Sequence, residues 1–406
     1  MKKKAKKKKW IKPRHWVIRN IAYTLIYPYA KLKYGVQIDR FKEQENRPYL
    51  ILLNHQTPFD QFFVGMSFKG PVYYLATEDI FSLGWVSSLI RWLVAPIPIK
   101  KQTTDTGAVM NCARVVKEGG TIAIAPEGNR TYSGKTEYMN PAIAGLARVL
   151  KLPVVLYRIE GGYGVEPRWS DKVRKGKMHA YVSRVIQPEE YALWSNEELL
   201  SAIETGLYVD EGVADGIFES SKRAEYLERA IYVCPDCGLS QFESHDNDVE
   251  CLKCHTKITY GRDKKLTAID REFPFEFVSQ WYDWQKDFIN NLDVMQYTDE
   301  PLYCDEAALS EVIVYERKVP LRERAKISLY GNRVVVDEGK EDMLALSFNE
   351  VTAVSVLGRN KLNIYHDKRI YQIKGGKRFN ALKYVHIYYR HKNISRGDVN
   401  GKFLGL

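Results

Sequence analysis

The sequence predicts an α/β domain with a mostly parallel sheet flanked by helices, then a small four-cysteine module, then a β-rich C-terminal module. Three observations predict it. Over residues 41–200 short apolar runs alternate with helical patterns, which over that length argues a parallel sheet core. Four of the six cysteines stand in one tight cluster, at 234, 237, 251 and 254. From about residue 310 short strand-like runs separated by turn signals such as Gly331-Asn332 and Gly375-Gly376 replace the alternation, and one helical pattern follows them.

Of 406 residues, 45% are apolar and 27% charged, the balance of a folded chain. The net charge of +11 is local: residues 1–20 carry eight Lys, two Arg and no acid, and the other 386 hold 51 basic against 50 acidic side chains. A basic tail on a near-neutral body argues against a nucleic-acid-binding stripe and points to an anionic lipid leaflet. No run of about 18 apolar residues is present, so no membrane-spanning helix is expected. Lys12, Pro13, Arg14 and Arg19 interrupt what would be the apolar core of a signal peptide.

In chain order, Trp16–Tyr29 reads as an amphipathic helix, with Val17, Ile18, Ile21, Leu25, Ile26 and Tyr29 at helical spacing. Trp10, Trp16, Tyr23, Tyr27 and Tyr34 are aromatic anchors, and Arg19, Lys31 and Lys33 can reach headgroups, as in a helix lying in a membrane interface. The alternative is a helix packed on its own domain. Tyr49–Leu53, Val72–Leu75, Thr121–Ala125 and Pro153–Tyr157 read as buried strands. Helices are expected over Gln61–Phe68, Leu83–Leu93, Gly107–Lys117 and Ala142–Leu150, with strand Met178–Val185 and helix Asn196–Leu207 completing the domain. Phe273–Leu292 reads as an aromatic helix whose Phe277, Trp281, Trp284 and Phe288 share one packing face. Strands follow over Ser310–Tyr315, Lys326–Tyr330, Arg333–Val336, Met343–Phe348, Val351–Leu357, Lys361–His366 and Arg369–Ile373, then a helix over Phe379–Tyr389. A β-rich roll closed by one helix resembles pleckstrin-homology and related lipid-binding modules.

The strand Tyr49–Leu53 runs into Asn54-His55-Gln56-Thr57-Pro58-Phe59-Asp60, so His55 lies past a strand's carboxyl end, where α/β sheets place ligands. Thr57 reads as the N-cap of the next helix, Pro58 as its first residue and Asp60 as its third, from which a carboxylate can point back at His55. An imidazole near its ordinary pKa can take the proton of a hydroxyl as that hydroxyl attacks a carbonyl, and a carboxylate on the other ring nitrogen fixes the tautomer. Alone, the five-residue spacing serves a structural hydrogen bond as readily as catalysis. A second block, Pro126-Glu127-Gly128-Asn129-Arg130, follows the strand Thr121–Ala125, again at a carboxyl end.

Together the two blocks resemble the NHxxxxD and FPEGTRS-like motifs of the 1-acylglycerol-3-phosphate (glycerolipid) acyltransferase family, in the same order. Lys151-Leu152-Pro153-Val154-Val155 resembles that family's fourth, proline-containing block, and the likeness covers about residues 45–205. The resemblance implies an O-acyltransferase with His55 and Asp60 as the catalytic pair. It implies that Glu127, Gly128 and Arg130 hold the acceptor's phosphate, Arg by its planar fork of donors. Asn129 stands where the family has Thr, and Ala125 where it has an aromatic residue. The family's intermediate basic block is represented by Lys100 and Lys101, point charges in place of an Arg fork, which leaves the acceptor headgroup open.

Cys234-Pro-Asp-Cys237 and Cys251-Leu-Lys-Cys254 are two CxxC knuckles with 13 residues between them. Four thiols at this spacing read as a structural zinc ribbon with Cys234, Cys237, Cys251 and Cys254 as Zn2+ ligands; His245 and His255 are nearby substitutes.

The expected organisation is a basic tail with a membrane-surface helix (1–40), an acyltransferase domain (41–225), a zinc ribbon (226–265), an aromatic helical connector (266–304) and a β-rich, pleckstrin-homology-like module (305–406). The expected reaction moves a fatty acyl chain from acyl-CoA or acyl-carrier protein to the sn-2 hydroxyl of 1-acylglycerol-3-phosphate, giving phosphatidic acid at the cytoplasmic face of a membrane. Glycerol-3-phosphate or another lysophospholipid is the alternative acceptor. No catalytic cofactor and no nucleic-acid partner are expected. A non-catalytic zinc-ribbon protein binding nucleic acid or membrane is the rival of another class; it leaves both motif blocks unexplained.

Overall fold

The strands of the N-terminal sheet form at apolar runs, of which Leu50–Leu53 is buried along its whole length. The computed structural model describes residues 9–44, 48–99, 105–269, 271–314 and 316–398. It divides into two units interleaved along the chain. One comprises Met1–Gly128, Met139–Glu160 and Met178–Tyr208; the other comprises Asn129–Tyr138, Gly161–Lys177 and Val209–Leu406. Residues 209–225, expected with the acyltransferase domain, fall in the second unit.

The first unit opens with helix α1 (Pro13–Tyr34) and strand β1 (Val36–Ile38). It continues through β2 (Leu50–Leu53), α2 (Asp60–Ser67), β3 (Val72–Thr77), α3 (Trp85–Val94), β4 (Ile97–Ile99), α4 (Thr106–Lys117) and β5 (Thr121–Ile124). It ends with α5 (Ala142–Leu150), β6 (Val154–Glu160), β7 (Met178–Ile186) and α6 (Asn196–Leu207). The seven strands lie in the order β1-β7-β6-β2-β5-β3-β4, parallel except for the β6/β7 pair. β2 is central and buried along its whole length, as a strand covered by helices on both faces must be.

α1 is apolar on more than one side. His15, Ala30 and Tyr34 are buried, while Val17, Ile21, Leu25 and Leu32 are exposed. α3 lies beside it, with Arg14 Nε donating to the Trp92 carbonyl at 2.9 Å, and exposes Trp85, Leu89 and Trp92. Among the described residues no helix is long and apolar enough to cross a membrane.

In the second unit, short strands β8 (Val233–Cys234) and β9 (Gly238–Leu239) form a two-stranded knuckle. Strands β10 (Phe242–His245), β11 (Asp248–Cys251), β12 (Lys257–Tyr260) and β13 (Leu266–Ala268) form a four-stranded antiparallel sheet. Helix α7 (Val278–Asn291) buries Trp281, whose Nε1 donates to the Val233 carbonyl at 2.9 Å, so its aromatic face serves packing as expected. Strands β14 (Tyr303–Val312), β15 (Lys318–Leu329), β16 (Arg333–Val336), β17 (Leu344–Ser347), β18 (Val351–Leu357), β19 (Lys361–His366) and β20 (Arg369–Gly375) follow, with helix α8 (Leu382–Ser395) last. These seven make a curled antiparallel sheet ordered β17-β16-β15-β14-β20-β19-β18.

β14 and β15 run far beyond the short segments expected at Ser310–Tyr315 and Lys326–Tyr330. Register shifts at Ala307/Leu309 and Leu309/Ser310 break the alternation there, and Arg322, Glu323 and Arg324 interrupt the apolar pattern on β15. Tyr315 lies outside the described residues.

Candidate active site

β2 and β5 are parallel neighbours in register, Leu52 opposite Ile124. Three residues further along each strand come His55 and Glu127, and this register sets their separation of 72 residues. Glu127, buried, accepts the His55 backbone N–H on Oε1 at 3.0 Å. The carboxylate that the resemblance assigns to the acceptor thus ties the two strand ends together.

Asn54 extends the sheet by its side chain. Its Nδ2 donates to the Ile159 carbonyl and its Oδ1 accepts the Ile159 N–H, both at 2.8 Å. A carboxamide has a peptide's donor and acceptor, so Asn54 replaces one rung of the β2/β6 ladder and frees the chain to turn at His55.

The helix start differs from expectation: α2 begins at Asp60, and Thr57 does not cap it. Instead the loop wraps around the Asp60 carboxylate. Oδ2 takes the Gln56 N–H at 2.7 Å; Oδ1 takes the Thr57 hydroxyl at 2.6 Å; the Thr57 N–H lies 3.0 Å from both oxygens. Oδ2 also meets His55 Nδ1 at 2.8 Å. The Asp60 side chain is 1% exposed and that of His55 27%. A carboxylate gives no proton, so Nδ1 carries the hydrogen and Nε2 keeps its lone pair. Burial pushes the Tyr157 phenol well up and Asp60 adds to the push, so this neighbour stays neutral.

Gly128 has φ +73°, which suits glycine, and its N–H donates to the Ala125 carbonyl at 3.0 Å. The division between units falls directly after it, so Asn129 and Arg130 belong to the second unit. The Arg130 carbonyl accepts from Arg168 Nη1 at 2.8 Å. Lys100 and Lys101 lie outside the described residues.

Cys234, Cys237, Cys251 and Cys254 place their sulfurs within 4.8 Å of one another. Cys234 Sγ and Cys254 Sγ are 3.7 Å apart, against about 3.8 Å for two vertices of a zinc–thiolate tetrahedron with bonds of about 2.3 Å. The hydroxyls of Ser240 and Thr256 lie 3.1 Å from Cys251 Sγ and 3.2 Å from Cys254 Sγ, an outer layer that steadies thiolates. The four residues therefore fit a tetrahedral cation. His245 and His255 are exposed and turned to Glu243 and Glu250. Cys112 is buried and its thiol is pushed up to about 12 by that burial, an inert core residue.

A family model described as Acyltransferase matches residues 36–159, the stretch holding both strand ends. The chain is similar to the 1-acyl-sn-glycerol-3-phosphate acyltransferase of Bacillus subtilis (strain 168), 23% identical over 181 residues that make up 43% of this chain and 86% of that protein. Residues 36–159 thus form an acyltransferase domain similar to that of 1-acylglycerol-3-phosphate acyltransferases. The chain is an O-acyltransferase. The chloroplastic 1-acyl-sn-glycerol-3-phosphate acyltransferase BAT2 of Brassica napus is also 23% identical, over 39% of this chain and 46% of that one. The crystal structure of the 1-acyl-sn-glycerophosphate acyltransferase PlsC from Thermotoga maritima aligns with TM-score 0.36 and 21% identity, over 48% of this acyltransferase and 75% of that chain. The structure brings the motif residues His55, Asp60 and Glu127 together. The bond from His55 N–H to Glu127 and the double bond of Asn54 carry no spacing signal of their own.

Proposed function

We propose that this acyltransferase acylates the sn-2 hydroxyl of 1-acylglycerol-3-phosphate from an acyl-CoA or acyl-carrier-protein thioester, giving phosphatidic acid. The bond from His55 Nδ1 to the buried Asp60 carboxylate carries this reading, because it leaves Nε2 basic at the end of a parallel sheet. Nε2 takes the proton of the acceptor hydroxyl while its oxygen attacks the thioester carbonyl. The tetrahedral intermediate then expels the thiolate, which collects that proton from the imidazolium. Asp60 keeps the ring oriented and offsets its transient charge. Arg130, with Lys100 and Lys101, would hold the phosphate; Glu127 and Gly128 would shape the turn beneath it.

Cys234, Cys237, Cys251 and Cys254 would hold a Zn2+ ion that cross-links the two knuckles and takes no part in acyl transfer. The exposed stripe of Val17, Ile21, Leu25 and Leu32, beside Trp85, Leu89 and Trp92, supports peripheral seating on the cytoplasmic leaflet. We read the seven-stranded sheet with its helix as a pleckstrin-homology-like module.

Purified full-length protein assayed with one acyl-CoA against lysophosphatidic acid, glycerol-3-phosphate and a lysolipid panel tests the reading. Lysophosphatidic acid should be the best acceptor. Preference for glycerol-3-phosphate would reassign the acceptor, and no product from any acceptor would end the proposal.

A further inference from the structure

Arg168 lies in the inserted stretch Gly161–Lys177 of the second unit and is 2% exposed. Its guanidinium reaches two separate places. Nη1 donates to the Arg130 carbonyl at 2.8 Å and Nη2 lies 3.4 Å from Asn129 Oδ1, the last two residues of the second motif block. Nη2 also donates to the Val356 carbonyl at 3.3 Å, and Nε to the Gly358 carbonyl at 3.5 Å, where β18 turns into β19. The Tyr132 ring covers the guanidinium at 4.3 Å.

All four acceptors are neutral oxygens, so the contact is geometric: one planar fork spans two backbones. The turn answers in kind. Arg359, next after Gly358, donates to Glu166 Oε1 at 2.7 Å and reaches Asp171 Oδ1 at 3.4 Å, both in the stretch that carries Arg168. Asp171 is held in turn by Arg229 at 2.7 Å. Arg168 and Arg359 together tie the hairpin turn to the stretch that grips the motif segment. Gly358 at the turn is exposed, yet its carbonyl and that of Val356 bond the same guanidinium that holds the Arg130 carbonyl.

We propose that Arg168 is a positioning residue through which the β-rich module fixes the Asn129–Arg130 segment, and so sets how the acyltransferase holds the anionic headgroup of its acceptor. The second half of this statement rests on the reading of Arg130 given above; the first half does not. The β-rich module is on this view a working part of acceptor recognition as well as whatever surface it meets.

The test uses full-length protein carrying Arg168→Lys, which keeps the charge and loses the fork, and Arg359→Lys, which loosens the tie from the other side. Hydrogen exchange reads the positioning directly. Both variants should speed exchange over residues 129–134 and leave residues 50–57 unchanged. Unchanged exchange over 129–134 in both overturns the proposal, whatever the acceptor is. In kinetics, Arg168→Lys should raise the acceptor KM about tenfold, leaving the acyl-donor KM and kcat within about twofold. Against an Arg130→Ala background the same change should add little, and full additivity would show that Arg168 does not act through Arg130. If the wild type acylates no acceptor while exchange responds as stated, the reading of the site has failed and the positioning role stands.

Discussion

The His55–Asp60 loop and the Asn129–Arg130 segment are held in opposite ways. In the first, an aspartate five positions away gathers the imidazole, two backbone N–H groups and a hydroxyl of its own loop. In the second, the grip comes from Arg168, 38 residues after Arg130, and from carbonyls a further 188 to 190 residues on. Chemistry that needs one proton moved can be packed into a heptapeptide. Fixing the Asn129–Arg130 segment takes support from distant chain.

The largest effect should come from breaking the local half. His55→Ala and Asp60→Asn should each lower turnover at least about a hundredfold, the first by losing the base and the second by releasing the tautomer. Steady-state assays with folded variants check this, and near wild-type turnover in either would remove the pair from the mechanism. Next comes the metal module. Cys251→Ser, or stripping with a strong chelator, should abolish about one bound zinc per chain by metal analysis and lower the melting temperature sharply, since such ions contribute folding energy outright. A metal-free protein with unchanged melting would refute a structural ion.

Asn54→Ala should cost about 2–4 kcal/mol in denaturant unfolding, because it strands a buried N–H and a buried carbonyl of Ile159 at once. A cost under about 1 kcal/mol would mean that the ladder rung is dispensable. Glu127 and Arg130 sharpen the contrast between the two regions. Glu127→Ala, which frees the His55 N–H, should act mainly on kcat; Arg130→Ala should act mainly on the acceptor KM. A KM effect from Glu127 with kcat intact would return it to direct acceptor contact. The smallest effect is expected from Trp85→Ser with Trp92→Ser. Partition onto anionic liposomes should weaken several-fold, with activity on detergent-dispersed substrate preserved.

What the sequence made legible follows the same division. The parallel sheet could be read because Leu50–Leu53, Thr121–Ile124 and Val154–Glu160 are apolar runs of strand length between helical patterns. His55, Asp60 and the four cysteines could be read because their chemistry lies within short spans. The start of α2 is not legible because Thr57 and Pro58 have the form of cap and first turn, whereas the carboxylate of Asp60 draws the loop around itself. The full length of β14 and β15 is not legible because their charged residues and register shifts hide the two-residue period. Arg168 gave no signal. A lone arginine in Glu166-Pro-Arg-Trp-Ser170 acquires meaning only when residues 356–358 are folded.

That delay has a timescale. A ribosome adding about 5–20 residues per second needs roughly 10–40 seconds to go from Arg168 to the turn that receives it 190 residues later. Throughout that interval the residues of β2, β5 and β6 are already made, while the two carbonyls on the far side of the Arg168 guanidinium are not. The nascent chain therefore holds every residue of the His55–Asp60 loop well before it holds both sides of the contact around Arg168. A chain released early by a premature stop would hold the residues of the histidine–aspartate pair without the carbonyls that Arg168 spans to reach.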